Sequence, residues 1–115
     1  MMQYEIAIAL KGDLKEMIHI DYPLILFFQD AHPSVEIFIL DHNRIKRIES
    51  YLGAYERLTT LSIKNNDISS IAVGSFASTP LLRDLDLSKN KLSQITRTML
   101  SGLKLLQVFN SLVKR

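Results

Sequence analysis

No cysteine occurs among the 115 residues, which excludes disulfides, thiolate nucleophiles and every cysteine-ligated zinc or iron–sulfur centre. Glycine is scarce at four residues, and neither a GxSxG elbow nor a glycine-rich phosphate loop can be found, so nucleophilic and nucleotide chemistry have no foothold. No sign of charge dominates: 14 basic and 12 acidic side chains leave +2. The cations are scattered along the chain at Lys11, Lys46, Arg57, Lys64, Arg83, Lys91 and Lys104, whereas nucleic-acid binders gather theirs on one face. A nucleic-acid partner is therefore not expected. The longest apolar run, residues 24–28, is far short of the roughly 20 residues of a membrane span, so no membrane insertion is expected of this segment. Residues 1–5 lack the basic flank of a secretory signal. Glycosylation sequons are missing as well, because Asn43, Asn65, Asn66, Asn90 and Asn110 have neither Ser nor Thr two residues on. The histidines, His19, His32 and His42, lie near Asp21, Asp30 and Asp41 but show no HExxH or HxH spacing, and adjacent residues such as Asp41 and His42 diverge on a strand. No metal, no cofactor and no catalytic residue is expected.

What the chain has is a hydrophobic fraction of 47% and an internal repeat. Residues 58–71 (LTTLSIKNNDISSI) and 82–95 (LRDLDLSKNKLSQI) both read LxxLxLxxNxLxxL, and residues 35–48 fit the frame with Val35, Phe38, Leu40, Asn43, Ile45 and Ile48. A leucine-rich helix is the competing reading, but Leu61, Ile63, Leu85 and Leu87 alternate with polar neighbours as a half-buried strand does. An asparagine just beyond each strand has no role in a helix seam. At a buried turn its amide can satisfy backbone groups whose loss would cost roughly 1–3 kcal/mol each, so Asn43, Asn66 and Asn90 are expected to stack as a ladder. Leu52, Phe76 and Leu100 stand six residues before Leu58, Leu82 and Leu106 and are expected to line the opposite side of the core.

With these motifs the chain resembles the leucine-rich-repeat family, in particular its 24-residue subfamily, LxxLxLxxNxLxxLxxxxFxxLxx, whose members include Toll-like receptor ectodomains, adhesion proteins and secreted insect immune proteins. The resemblance covers about residues 35–109. It implies an α/β fold: a right-handed solenoid, a horseshoe segment of roughly four to five repeats with a short parallel β-sheet on its concave face. One domain over residues 1–115 is expected, with clear repeats at 35–57, 58–81 and 82–105. Residues 106–115 form an incomplete terminal repeat, since Ser111 and Lys114 stand at a framework and the asparagine position. Residues 1–34 fit two readings. One is a degenerate repeat built on Leu14, Met17, His19, Tyr22, Leu24 and Phe28; the other is an N-terminal cap with strands over 4–10 and 17–20.

The resemblance further implies that residues between framework positions face outward on the concave surface. Those marked for partner contact are Ile37, Ile39, Asp41 and His42, then Thr60, Ser62 and Lys64, then Asp84, Asp86 and Ser88. The expected role is that of a protein-binding module and not an enzyme, suited to extracellular recognition or innate immunity. An intracellular scaffold or enzyme-regulatory subunit is the alternative. The subfamily favours a secreted or extracellular location, although signal, cysteines and sequons are missing from this sequence. Sheet edges at the two ends also invite self-association.

Overall fold

The computed structural model describes residues 4–9, 15–20, 24–29, 34–49, 52–53 and 55–110. Its elements are β1 (Tyr4–Ala9), β2 (Lys15–Ile20), α1 (Leu24–Gln29), β3 (Ile37–Ile39), β4 (Arg47–Ile48), β5 (Thr60–Ser62), β6 (Ser70–Ile71), β7 (Asp84–Asp86) and β8 (Val108–Asn110). The expectations attached to Leu14, His32, Ser111 and Lys114 lie outside the described residues.

The repeat dictates the architecture. Each LxL places one residue inward and its two neighbours outward, and β3, β5 and β7 each bury only their central residue, Phe38, Leu61 and Leu85. A three-residue strand carries too few hydrogen bonds to stand alone, so it is held by its neighbours. The parallel register pairs Phe38 with Leu61, Leu61 with Leu85, and Leu85 with Phe109. The ladder runs on past the strands, for example from Leu40 N to Ser62 O at 2.7 Å and from His42 N to Lys64 O at 3.0 Å. Beyond the turn, β4 and β6 pair in parallel as a second, two-stranded sheet, with Ile48 opposite Ile71.

The larger sheet has the order β2-β1-β3-β5-β7-β8 and is mixed. β1 is antiparallel both to β2 and to β3, with Ala7 opposite Ile39, so the parallel order begins at β3. The short connection between β1 and β2 permits an antiparallel pair, whereas parallel neighbours need the long crossover that a complete unit supplies.

The core is a stack of columns. Val35, Leu58 and Leu82 form one; Leu40, Ile63 and Leu87 another; Ile45, Ile68 and Leu92 a third, all buried. Leu52 and Phe76 close the far side. α1 feeds Phe27 and Phe28 into the N-terminal end, where Phe28 stands edge-on to Phe38 (5.2 Å between centroids) and to Tyr55 (5.6 Å). At the other end, Ile95, Met99, Leu100, Leu103 and Leu106 pack on the core but remain half-buried.

Candidate functional site: the concave sheet and its asparagine turns

The asparagine turns position everything on the concave face. Asn66 is buried; its Oδ1 accepts from Ile45 N at 3.0 Å while its Nδ2 donates to Leu40 O at 2.9 Å and to Ile63 O at 3.2 Å. One step on, Asn90 Oδ1 accepts from Ile68 N at 2.9 Å and Nδ2 donates to Ile63 O at 2.8 Å and Leu87 O at 3.0 Å. Each asparagine thus satisfies backbone groups of its own turn and of the preceding one. Asn43 reaches back to a strand, β1. Its amide engages both polar groups of Glu5 in β1 instead, accepting from Glu5 N at 2.9 Å and donating to Glu5 O at 3.0 Å.

The residue before each asparagine takes the left-handed backbone conformation, with φ of 61° at His42, 61° at Asn65 and 57° at Lys89. Asn65 Nδ2 donates to His42 Nδ1 at 2.8 Å, so two of these strained positions support one another across the repeat.

On the strands, the register lays the marked residues in two rows, Ile37–Thr60–Asp84 and Ile39–Ser62–Asp86, each half-buried. β1 continues them, placing Ala9 opposite Ile37 and Ala7 opposite Ile39. The surface therefore grades from aliphatic at Ala7 and β3, through hydroxyls on β5, to carboxylates on β7.

Hydrogen bonding divides the marked residues into two kinds. Asp41 Oδ1 accepts from Ser62 Oγ at 2.6 Å and from Lys64 N at 2.9 Å, tying adjacent units together. Asp86 Oδ1 accepts from Ser88 Oγ at 2.6 Å and Ser88 N at 3.0 Å, closing its own turn. These four side chains spend polar capacity on the scaffold. Ile37, Ile39, Thr60 and Asp84 make no side-chain hydrogen bond or ion pair among the described residues, and Lys64 contributes only its main chain. The scaffolding role of Asp41 was hidden in the sequence, where the position carries Lys64 and Ser88 in the later units; only the fold brings its carboxylate beside Ser62.

One feature passed over by sequence reasoning is a flank of basic residues beyond the turns. Arg44, Lys46, Arg47 and Lys91 are all exposed there. They look scattered along the chain, but Arg44 and Lys91 occupy the same repeat position in the first and third clear units, on either side of Asp67. Aligning the sequence by its repeat period would have revealed them. No group of His, Asp or Glu suited to a metal ion is found among the described residues, and no helix among them is long and apolar enough to cross a membrane.

Comparison with known proteins agrees with this geometry. Residues 56–110 match a family model described as leucine rich repeat. The chain is 38% identical over 76 residues to leucine-rich repeat serine/threonine-protein kinase 1 of Caenorhabditis elegans, a match covering 64% of this chain and 3% of that protein. It is 43% identical over 51 residues to amphoterin-induced protein 2 of Homo sapiens, covering 43% of this chain and 10% of the relative. Among solved structures, the chain is similar to the one titled as the crystal structure of a TLR13–ssRNA13 complex, with a TM-score of 0.64 and 28% identity over 67% of this chain and 11% of that one. The chain thus spans a small fraction of the length of the relatives it matches.

Proposed function

With membership of the leucine-rich-repeat family as premise, we propose that this chain is a protein-binding module that takes its partner on the concave sheet and catalyses no reaction. In this reading residues 1–115 act as one domain, with units at 35–57, 58–81 and 82–105, a closing segment at 1–34 and an incomplete unit at 106–115. The observation that carries it is the graded row of half-buried strand residues, in which Ile37, Ile39, Thr60 and Asp84 keep their side chains uncommitted while Asp41, Ser62, Asp86 and Ser88 hold the scaffold. Aliphatic side chains held rigidly and bordered by free polar groups match the apolar centre and polar rim of an interface. His42 and Lys64 stand at the rim of the same face. The asparagine ladder of Asn43, Asn66 and Asn90 serves by keeping the strands in register.

Recognition outside the cell or in innate immunity is the role we favour, supported by the likeness to amphoterin-induced protein 2 and to a Toll-like receptor structure. The likeness to a kinase of Caenorhabditis elegans favours a second reading, a scaffolding segment within a larger intracellular protein. Self-association through the sheet edges at β2 and β8 belongs to the same proposal. Affinity capture with the purified chain, followed by quantitative binding of the captured protein, tests the face. Ile39→Asp and Asp84→Arg should each abolish binding, and Leu105→Ser, outside the face, should not. If both concave variants bind like wild type, the surface has been misassigned.

A further inference from the structure

We propose that the occupant of the concave face is an extended peptide segment of a partner protein, in which two aliphatic residues alternate with two basic ones. The inference rests on the concave face being the binding surface. The register makes that face a trough with three lines of side chains: Ile37 and Ile39 along one wall, Asp84 and Asp86 along the other, and Thr60 and Ser62 as the floor between them. All of these are half-buried and turned outward, because Phe38, Leu61 and Leu85 between them fill the core. Since the strands line the inner side of the solenoid, the hollow runs along them. One wall is apolar and the other carries carboxylates, so an occupant must itself differ from one side to the other.

The spacings select an extended chain. Neighbouring strands lie about 5 Å apart, which sets the walls about 10 Å from each other. Along a wall, residues two apart on a strand repeat every 6.5 Å or so, roughly the repeat of a peptide laid along the trough on its edge, whose successive side chains turn to opposite walls. Residues i and i+2 of that peptide lie on Ile37 and Ile39, and residues i+1 and i+3 lie on Asp84 and Asp86. Its backbone turns the N–H and C=O of every second residue down to the floor, where they lose water and need partners. Thr60 and Ser62 stand at the same spacing. The Thr60 hydroxyl has no partner among the described residues, and Ser62 Oγ, which donates to Asp41 Oδ1 at 2.6 Å, keeps lone pairs with which to accept. An α-helix satisfies its own backbone and would leave these hydroxyls idle.

Charge complementarity makes the other side of the peptide basic. Asp84 has no side-chain hydrogen bond or ion pair among the described residues, and Asp86 receives both Ser88 bonds on Oδ1, which leaves Oδ2 open. The acidic stretch is short. Exposed Arg83 adjoins Asp84, and exposed Lys89 follows Asp86 by three residues, so positive charge bounds the pair at both ends. On the opposite wall the aliphatic pair is bounded by Glu36 and Asp41. The trough therefore takes two cations alternating with two aliphatic side chains and repels a longer basic run, which separates its ligand from a merely polycationic one.

The test titrates the full, isotope-labelled chain with the blocked peptide Gly-Val-Arg-Val-Arg-Gly and follows backbone amide shifts by NMR, which also show that each variant is folded. Saturable shifts should appear at residues 37–39, 60–62 and 84–86. Asp84→Asn should weaken binding roughly fivefold, the upper range for an exposed ion pair, and Thr60→Val should weaken it by a similar factor through the lost floor hydrogen bond. Asp84→Arg should turn the preference to Gly-Val-Glu-Val-Glu-Gly, and Leu105→Ser, outside the face, should change nothing. Absence of saturable shifts at millimolar peptide overturns the proposal. So does binding as tight by the scrambled Gly-Val-Val-Arg-Arg-Gly, by an all-arginine peptide of the same length, or by an alanine-based helical peptide carrying the same four side chains. If the peptide fails while Ile39→Asp still abolishes binding of a captured protein, the concave assignment stands and this inference alone falls; if Ile39→Asp has no effect there either, both fall.

Discussion

At Lys89 a long side chain occupies a left-handed backbone position, φ 57°, without the mutual hydrogen bond that His42 and Asn65 enjoy at the equivalent positions. Asparagine tolerates this region far better than lysine. Lys89→Asn should therefore stabilise the fold by about 0.5–1 kcal/mol, seen as a higher urea midpoint with unchanged slope. The ladder asparagines act in the opposite direction. Asn66→Ala strands Ile45 N in a buried turn, while Leu40 O keeps Asn43 and Ile63 O keeps Asn90 as donors, and should cost about 2 kcal/mol, whereas Asn43→Ala, whose bonds to Glu5 are exposed, should cost about 1 kcal/mol. Equal losses in urea titrations would show that burial does not set the value of a rung. The ladder positions were legible because asparagine recurs at 43, 66 and 90. The left-handed residue before each was not, since His42, Asn65 and Lys89 share no chemistry that sequence can recognise.

Among the elements, the return segments are the most tightly constrained. Gly102 has φ 98°, and a Cβ there would come within 3.0 Å of the Phe76 carbonyl oxygen in the preceding unit, while Gly74, at φ 84°, has open space around it. Gly102→Ala should accordingly cost about 2 kcal/mol against about 1 kcal/mol for Gly74→Ala, a ranking that thermal melts can check. Another constraint lies at α1, where Phe28 bridges Phe38 and Tyr55. Phe28→Ala should cost about 3–4 kcal/mol by opening that aromatic cluster. Strands β3, β5 and β7 could be read from the alternation of LxL. The antiparallel entry of β1 beside β3 could not, because residues 4–9 carry no signal that pairs them with residues 37–39. The two-residue strands β4 and β6 are equally silent in sequence, since Arg47 and Ser70 carry no β signal of their own.

At the scale of the molecule, burial of the framework side chains declines along residues 35–107. Val35, Phe38 and Leu58 are fully enclosed, yet Leu100, Leu103 and Leu106 keep half-exposed flanks. In a stacked solenoid each unit is stabilised chiefly by its neighbours. Amide hydrogen exchange should therefore be slowest in residues 38–63 and fastest in residues 95–107, and uniform protection along the chain would contradict the gradient. The linear sequence conceals a second property, the column of Arg44, Asp67 and Lys91 at one repeat position, because the columns of a repeat are visible only after the chain is wound. The backward-reaching asparagines have a consequence for inheritance. Asn66 completes the turn at Leu40 and Ile45, and Asn90 completes the one at Ile63 and Ile68, by the same two atoms in the same order. A gene that duplicated residues 58–81 in frame would hand the newcomer a partner on either side without altering any junction, so the protein can lengthen by copying errors of one whole unit.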